Sequence, residues 1–425
     1  MKIEQLHSLF LKTGIVSTDT RNIQKGALFF ALKGENFDGN QFAKQALESG
    51  ASIAIIDDPA YFIDDTKTIL VADVLTTLQE LAAYHRKQLQ VPVLALTGSN
   101  GKTTSKELID AVLSQKFQTV ATKGNLNNHI GVPLTLLTLN SKTQIGVVEM
   151  GANHHGEIAK LCEIAQPDYG YITNFGKAHL EGFGSLEGVV KAKTELYRHL
   201  IKNKKIIFVN TDDPKQVAEA REANIVTFGS SKGVDVRVEL VKAAPFVEVA
   251  FENIKVSSKL IGAYNFNNIG AAIAIGKYFK VPDSKIRQGI ENYQAENNRS
   301  QILKKGTNTL LMDAYNANPT SMRAAIENMV QLPEQQKIVI LGDMFEVGEQ
   351  TAQEHQEIVS YIEKQNFQKV FLIGAHFKNT TSEMQQLYKF KDFAEFQANF
   401  QPPKDSFVLV KGSRGMRLER VLDLF

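Results

Sequence analysis

A chain of 425 residues is too long for one ordinary core, and at roughly 150 residues per domain it divides into two or three compact units. With 43% apolar and 22% charged residues it is not a disordered chain, a collagen-like fibre or a disulfide scaffold. Forty-eight Lys and Arg against 46 Asp and Glu leave a net charge of +2, so no global field points to nucleic acid or an anionic membrane, and any anion site must be local.

The single cysteine, Cys162, excludes an intrachain disulfide, and a reducing, cytoplasmic setting is expected. Residues 1–14 have neither a long apolar core nor a small-residue cleavage site, so no export signal is expected. No uncharged apolar run approaches the roughly 20 residues that span a bilayer, so no membrane insertion is expected either.

In chain order, residues 27–32 and 51–56 read as short apolar strands with a helix over 41–48 between them, a small α/β unit. A helix over 74–89 ends before Val91-Pro92, because proline disfavours helix in the residue before it, and this sets a domain boundary near residue 89. Residues 91–97, 145–150, 169–173 and 206–210 read as buried strands alternating with helices, the pattern of a mostly parallel sheet flanked by helices. Stretches 234–241 and 247–256 read as antiparallel strands beside that sheet, followed by a small-residue helix over 267–279. After Glu296-Asn297-Asn298-Arg299-Ser300 a new series begins, with strands 309–312, 337–341, 370–373 and 407–410 and amphipathic helices 321–330 and 352–363. The fold class is therefore α/β in three domains: a small N-terminal α/β domain (1–89), a central P-loop-type domain (90–296) and a C-terminal Rossmann-like domain (297–425).

The sharpest motif is Thr97-Gly98-Ser99-Asn100-Gly101-Lys102-Thr103-Thr104, between a strand and a helix. Glycines let backbone N–H groups face phosphate oxygens, the helix N-terminus favours negative charge, Lys102 adds a point charge and Thr103 can ligate magnesium. The bland alternative is a glycine turn with an exposed lysine. The loop is shorter than the standard one, because Leu96 stands where the first glycine belongs.

Strand 145–150 carries Glu149 near its carboxyl end, and in open α/β sheets those ends form the ligand crevice, so Glu149 should join Lys102 there as a magnesium ligand. His154 and His155 read as surface histidines of a helix cap. His179, just beyond strand 169–173, is either a ligand or a structural histidine. Lys191 and Lys193 point in different directions from one helical stretch, and a solvated face is the plain account of them.

Taken together these strings resemble the Mur ligase family of ATP-dependent amide-forming enzymes, along essentially the whole chain. The supporting strings are Thr18-Asp19-Thr20-Arg21, Ala31-Leu32-Lys33-Gly34 with Phe37-Asp38-Gly39, the loop at 97–104, Thr122-Lys123-Gly124-Asn125-Leu126-Asn127-Asn128 and Glu149-Met150-Gly151-Ala152-Asn153. Ala178-His179-Leu180-Glu181, Asp313-Ala314-Tyr315-Asn316-Ala317-Asn318-Pro319, Leu341-Gly342-Asp343-Met344 and Lys411-Gly412-Ser413-Arg414 complete the series. Within the family the strings are most similar to the branch that adds D-alanyl-D-alanine to UDP-N-acetylmuramoyl-tripeptide. The Asp-Asn-Pro-Arg string of the third-residue-adding branch is absent.

The resemblance implies roles. Gly98, Ser99, Asn100, Gly101, Lys102, Thr103 and Thr104 would hold ATP phosphates, with Thr103, Glu149, His179 and a carbamylated Lys193 as ligands of two Mg2+ ions. Asn265 and Asn268 would sit near adenine, Arg299 would reach phosphate from the domain junction, and Asp313 would hold the ribose. Lys102, Lys193, His179 and Arg299 would form the catalytic set. Asp19, Thr20 and Arg21 would hold the UDP-sugar end, Asn127 and Asn128 the substrate-facing loop, and Asn316, Asn318, Ser413 and Arg414 the incoming dipeptide. Two positions depart from the family pattern: Tyr264 and Asn40 each stand where relatives usually carry His.

The resemblance further implies an acyl-phosphate route to the UDP-linked pentapeptide in peptidoglycan synthesis, hence in cell-wall biogenesis, shape and division. It also implies domain closure around the reacting groups, and a monomer. The competing readings are another ligase of the family, including a folylpolyglutamate synthase, and a nucleotide-dependent binding module that is not a ligase.

Overall fold

The computed structural model describes residues 1–296 and 298–425; Asn297, in the polar stretch where the third domain is expected to begin, lies outside the described residues. The N-terminal sheet is parallel, in the order Val16–Ser17, Leu28–Phe30, Ile53–Ile56, Thr68–Leu70. Both its faces are covered, as a parallel sheet requires: Leu28 and Phe30 face Leu6 and Phe10, whereas Phe29 faces Ala43 and Ala46. The first of these layers comes from helix Ile3–Thr13, which the sequence reading missed.

Helix Val74–Leu89 is capped by Asp73, whose side chain accepts from Thr76 N at 2.6 Å, and it stops at Gln90 in a left-handed turn. Its buried face joins the first unit to the second. Arg86 Nη2 lies 2.6 Å from Asp168 Oδ2, Gln79 donates to the His129 carbonyl at 2.9 Å, and His85 Nε2 lies 2.9 Å from the Leu139 carbonyl. His85 Nδ1 also meets His7 Nε2 at 3.0 Å, and burial lowers the pKa of both rings, with His85 adding to the effect on His7. The folded state therefore binds fewer protons than the unfolded chain just below the unfolded value of 6.5, and stability falls as pH drops through that window. Thermal melts from pH 7 to 5 are expected to show this loss, and the pair His7→Phe with His85→Leu to flatten it.

The central sheet has seven parallel strands in the order Val236–Arg237, Asn224–Gly229, Ile206–Asn210, Tyr169–Ile172, Val93–Thr97, Ile145–Glu149, Thr119–Ala121. Val93–Thr97 is buried throughout, flanked by strands on both sides, with Leu96 beside Glu149 and Thr97 beside Ile172. That register puts three strand ends, and the loops that leave them, at one crevice.

The stretch 234–241 differs from its reading. Val236–Arg237 extends the main sheet in parallel, beside the unpredicted strand Asn224–Gly229, and only Glu239–Lys242 is antiparallel. The stretch 247–256 is not one strand but the hairpin Glu248–Phe251 and Ile254–Ser257, because Glu252 and Asn253 both take positive φ (45° and 63°) and turn the chain.

The C-terminal sheet runs Gln301–Lys305, Asn308–Asp313, Phe407–Lys411, Lys337–Gly342, Lys369–Ile373, Leu387–Phe390. Only the first pairing is antiparallel. The edge strands Gln301–Lys305 and Leu387–Phe390 were not read from the sequence. No helix among the described residues is long and apolar enough to cross a membrane.

Candidate active site

A cavity of about 820 Å3 opens where the carboxyl ends of the central strands face the C-terminal domain. The loop residues Ser99 to Thr104 line it. Gly98 has φ 145°, and a Cβ there would stand 2.0 Å from Thr173 Oγ1; at Gly101, φ 76°, it would stand 2.8 Å from Asn268 Oδ1. Side chains of the next strand's loop hold this curl: Thr173 Oγ1 donates to the Asn100 carbonyl at 2.6 Å, and Asn100 N donates to Asn174 Oδ1 at 3.1 Å.

Lys102 Nζ donates to the Gly98 and Ser99 carbonyls at 2.7 and 3.2 Å. Burial lowers its pKa, with Glu149 opposing and Arg299 adding to the shift. A cation so placed lacks a close counter-charge, which a phosphate supplies. Thr103 Oγ1 donates to Glu149 Oε2 at 2.9 Å and Asn127 Nδ2 to Glu149 Oε1 at 2.7 Å, so the buried carboxylate is aimed from both sides.

Asn268 ties the loop helix to helix Asn265–Tyr278, since its Oδ1 accepts from Ser105 Oγ at 2.9 Å and its Nδ2 donates to Asn265 Oδ1 at 2.8 Å. From the C-terminal side, the Arg299 guanidinium lies 3.6 Å from the centre of the Tyr315 ring. Asp313 pairs with Lys411 at 2.5 Å and accepts from Ser300 N at 3.1 Å. Asn318 caps helix Pro319–Gln331 and donates to Asn100 Oδ1 at 2.7 Å, directly across the domain junction. Asn128, Asn316 and His179 also line the cavity, and His179 Nδ1 lies 2.6 Å from Glu346 Oε2.

Lys193 ends helix Leu186–Lys193 with its side chain fully buried, not on a solvated face. Its Nζ donates to the Ala152 carbonyl at 3.1 Å and lies 5.0 Å from the Phe183 ring centre. Burial drives its pKa well below the usual lysine range, the Lys102 charge adds to the shift, and Glu157 and Glu195 oppose it.

Other candidates stand apart. Asp19 and Arg21 form an exposed pair at 2.6 Å that holds the Asp19 pKa near about 2, and neither they nor Thr20 line this cavity. Ser413 is buried and accepts from Phe345 N at 2.8 Å, while Arg414 is exposed and lies 3.4 Å from Glu419. His154 and His155 are exposed. Asn40 is a buried hub bonded to Asp38 and Asp57, and Tyr264 bonds Ser300 Oγ at 2.9 Å across the junction.

The fit to magnesium follows from the donors. Among the described residues no group of three or more His, Cys, Asp or Glu stands ready for a metal. Mg2+ instead favours a few protein oxygens completed by phosphates and water, and Thr103 with Glu149 beside Lys102 is such a set. Lys193 also fits carbamylation, since only the neutral amine attacks CO2 and burial shifts Lys193 toward that form.

Family models match in the same order as the sheets. The Mur ligase family catalytic domain covers residues 12–96, the Mur ligase middle domain 96–276 and the Mur ligase glutamate ligase domain 298–414. A UDP-N-acetylmuramoyl-tripeptide--D-alanyl-D-alanine ligase of Bacillus subtilis is 34% identical, with 96% of this chain and 92% of that protein covered. The chain belongs to the Mur ligase family. The enzyme of the same name from Escherichia coli is also 34% identical over 96% of this chain and 92% of its own. Among solved Mur ligases, MurF from Acinetobacter baumannii superposes with TM-score 0.84 at 34% identity, covering 96% of this chain and 92% of that one. MurF from Thermotoga maritima in complex with ADP gives 0.83 at 28% identity, covering 98% and 97%. Membership of the Mur ligases makes the protein an ATP-dependent amide-bond ligase of α/β fold.

Proposed function

We propose that the protein joins D-alanyl-D-alanine to the terminal carboxylate of UDP-N-acetylmuramoyl-tripeptide, yielding the UDP-linked pentapeptide, ADP and phosphate for peptidoglycan synthesis. The observation that carries this reading is one cavity lined by Lys102 and Glu149 from the central domain and by Arg299 and Asp313 from the C-terminal domain. The relatives at 34% identity, which carry this activity in their names, support it.

The binding tasks divide among residues 1–89 for the nucleotide sugar, 90–296 for ATP and 297–425 for the dipeptide. Asp19, Thr20 and Arg21 hold the UDP end, and Asn127 and Asn128 the peptide arm. Asn316, Asn318 and Arg414 face the dipeptide, with Ser413 behind them. Backbone N–H groups from Gly98 to Thr104 cradle the phosphates, Asn265 and Asn268 lie by the adenine and Asp313 by the ribose. Thr103 and Glu149 would hold one magnesium ion, His179 and carbamylated Lys193 a second. Bound there, magnesium supplies positive charge to phosphate oxygens.

A carboxylate is a poor acyl donor, since its charge repels a nucleophile and oxide is a poor leaving group. Attack of a carboxylate oxygen on the γ-phosphorus of ATP releases ADP and leaves an acyl phosphate. Lys102 and Arg299 offset the charge that spreads over the phosphoryl oxygens, and the docked C-terminal domain excludes water from the intermediate. The dipeptide amine then attacks the acyl carbon, and the tetrahedral adduct expels phosphate. We read the enzyme as a cytoplasmic monomer, a reading that a cavity lined by one chain fits.

In an ADP-coupled assay, turnover is expected only with both the muramyl tripeptide and D-Ala-D-Ala present. Turnover with ATP alone, or with a free amino acid replacing the dipeptide, would overturn the assignment.

A further inference from the structure

Glu346 lies just past the Leu341-Gly342-Asp343-Met344 string and carries no motif of its own. Four hydrogen bonds within the C-terminal domain fix the loop that bears it. The Asp343 carboxylate accepts from His376 N and Phe377 N, both at 2.9 Å, Met344 N donates to His355 Nε2 at 3.0 Å, and Phe345 N donates to Ser413 Oγ at 2.8 Å. The loop thus reaches the junction as a rigid arm.

At its tip Glu346 crosses to the central domain. Its carbonyl accepts from Glu181 N at 3.3 Å, and its Oε2 lies 2.6 Å from His179 Nδ1. Glu346 and His179 both take positive φ (61° and 51°) where they meet. His179 Nδ1 is buried and meets hydrogen-bond geometry with no group among the described residues, and the Glu346 carboxylate is the charged partner beside it. Docking of the two domains has other ties: Lys177 Nζ to Glu354 Oε1 at 2.5 Å, Lys177 N to Thr320 Oγ1 at 3.1 Å, and Asn318 to Asn100. The carboxylate of Glu346 is therefore not needed merely to hold the domains together.

We infer that Glu346 is a positioning residue, delivered by the C-terminal domain, that engages His179 Nδ1 and so presents Nε2 to a metal ion in the cavity. A carboxylate on the far nitrogen fixes the tautomer and orientation of a metal-bound histidine and raises its basicity. Here the orienting group sits on a different domain from the ligand, so the second metal site is completed only when the domain that carries the dipeptide docks. The inference rests on the role given above to His179.

The test is Mn2+ binding to the full-length protein with ADP, read by electron paramagnetic resonance and thus independent of turnover. Glu346→Ala is expected to weaken Mn2+ binding about tenfold or more, with Glu346→Gln, which keeps an acceptor oxygen, between it and wild type. In a His179→Ala background Glu346→Ala is expected to have no further effect, and Glu354→Gln, which breaks the neighbouring interdomain pair, to leave Mn2+ binding unchanged. Unaltered Mn2+ binding in folded Glu346→Ala would overturn the inference, as would an equal loss in Glu354→Gln, since docking alone would then explain it. Failure of the proposed function is distinguishable, because it would appear as wild-type protein without dipeptide-dependent turnover.

Discussion

Replacing Lys102 by Met is expected to lower dipeptide-dependent turnover by at least about 10^3-fold, roughly 4 kcal/mol of transition-state stabilisation, while the protein stays folded. Lys102, the first residue of the loop helix, is held by the carbonyls of its own loop at 2.7 and 3.2 Å. Methionine keeps the stem and removes the charge. Because charge on the phosphoryl oxygens peaks during transfer, turnover should fall far more than ADP affinity, which calorimetry measures separately. Lys102→Arg should also fail, since a planar guanidinium cannot occupy the place of a compact ammonium between two carbonyls. A variant retaining more than a tenth of the wild-type rate would show that the phosphates lie elsewhere.

The second large effect is expected at Lys193. A lysine with no exposed surface and one hydrogen bond, to the Ala152 carbonyl at 3.1 Å, is a poor structural choice, because burial of an amine disfavours its charge and leaves donors unpaired. Lys193→Met should therefore melt no lower than wild type, yet lose at least about 10^3-fold in turnover, as expected when a group acting in the transition state is removed. Carbamylation joins the neutral amine to the carbon of CO2 and releases a proton. Wild-type activity should accordingly decline in CO2-depleted buffer and recover with bicarbonate, while Lys193→Met responds to neither. A variant that is unstable but fully active per folded molecule would assign Lys193 to packing.

The parts of this site that sequence reveals are those bound by local rules. The loop at 97–104 is legible because two glycines and a lysine sit between a buried strand and a helix, and the structure shows why: Cβ atoms at Gly98 and Gly101 would collide with Thr173 and Asn268. Helix Val74–Leu89 is legible to its end from the following proline, and the structure adds the Asp73 cap at its start. Contacts between distant segments are not. Lys193 reads as a surface lysine by itself, and only the packing of Ala152 and Phe183 around it shows a buried amine. Glu346 gives no local signal at all, since its partner lies on another domain. Ser413 reads as a dipeptide contact from its string, and the structure places it behind the Phe345 backbone as support. The short edge strands Gln301–Lys305 and Leu387–Phe390 escape notice because half-exposed positions carry Lys, Gln and Tyr, not an apolar run.

In the proposed reaction ATP activates the peptide's acid end before the amine attacks. This activation is tested most directly with tripeptide carrying 18O in both oxygens of its terminal carboxylate, with mass analysis of the phosphate released during ligation. Each phosphate should carry one 18O atom, because the carboxylate oxygen that attacks phosphorus leaves with it. Unlabelled phosphate accompanying normal pentapeptide formation would contradict it.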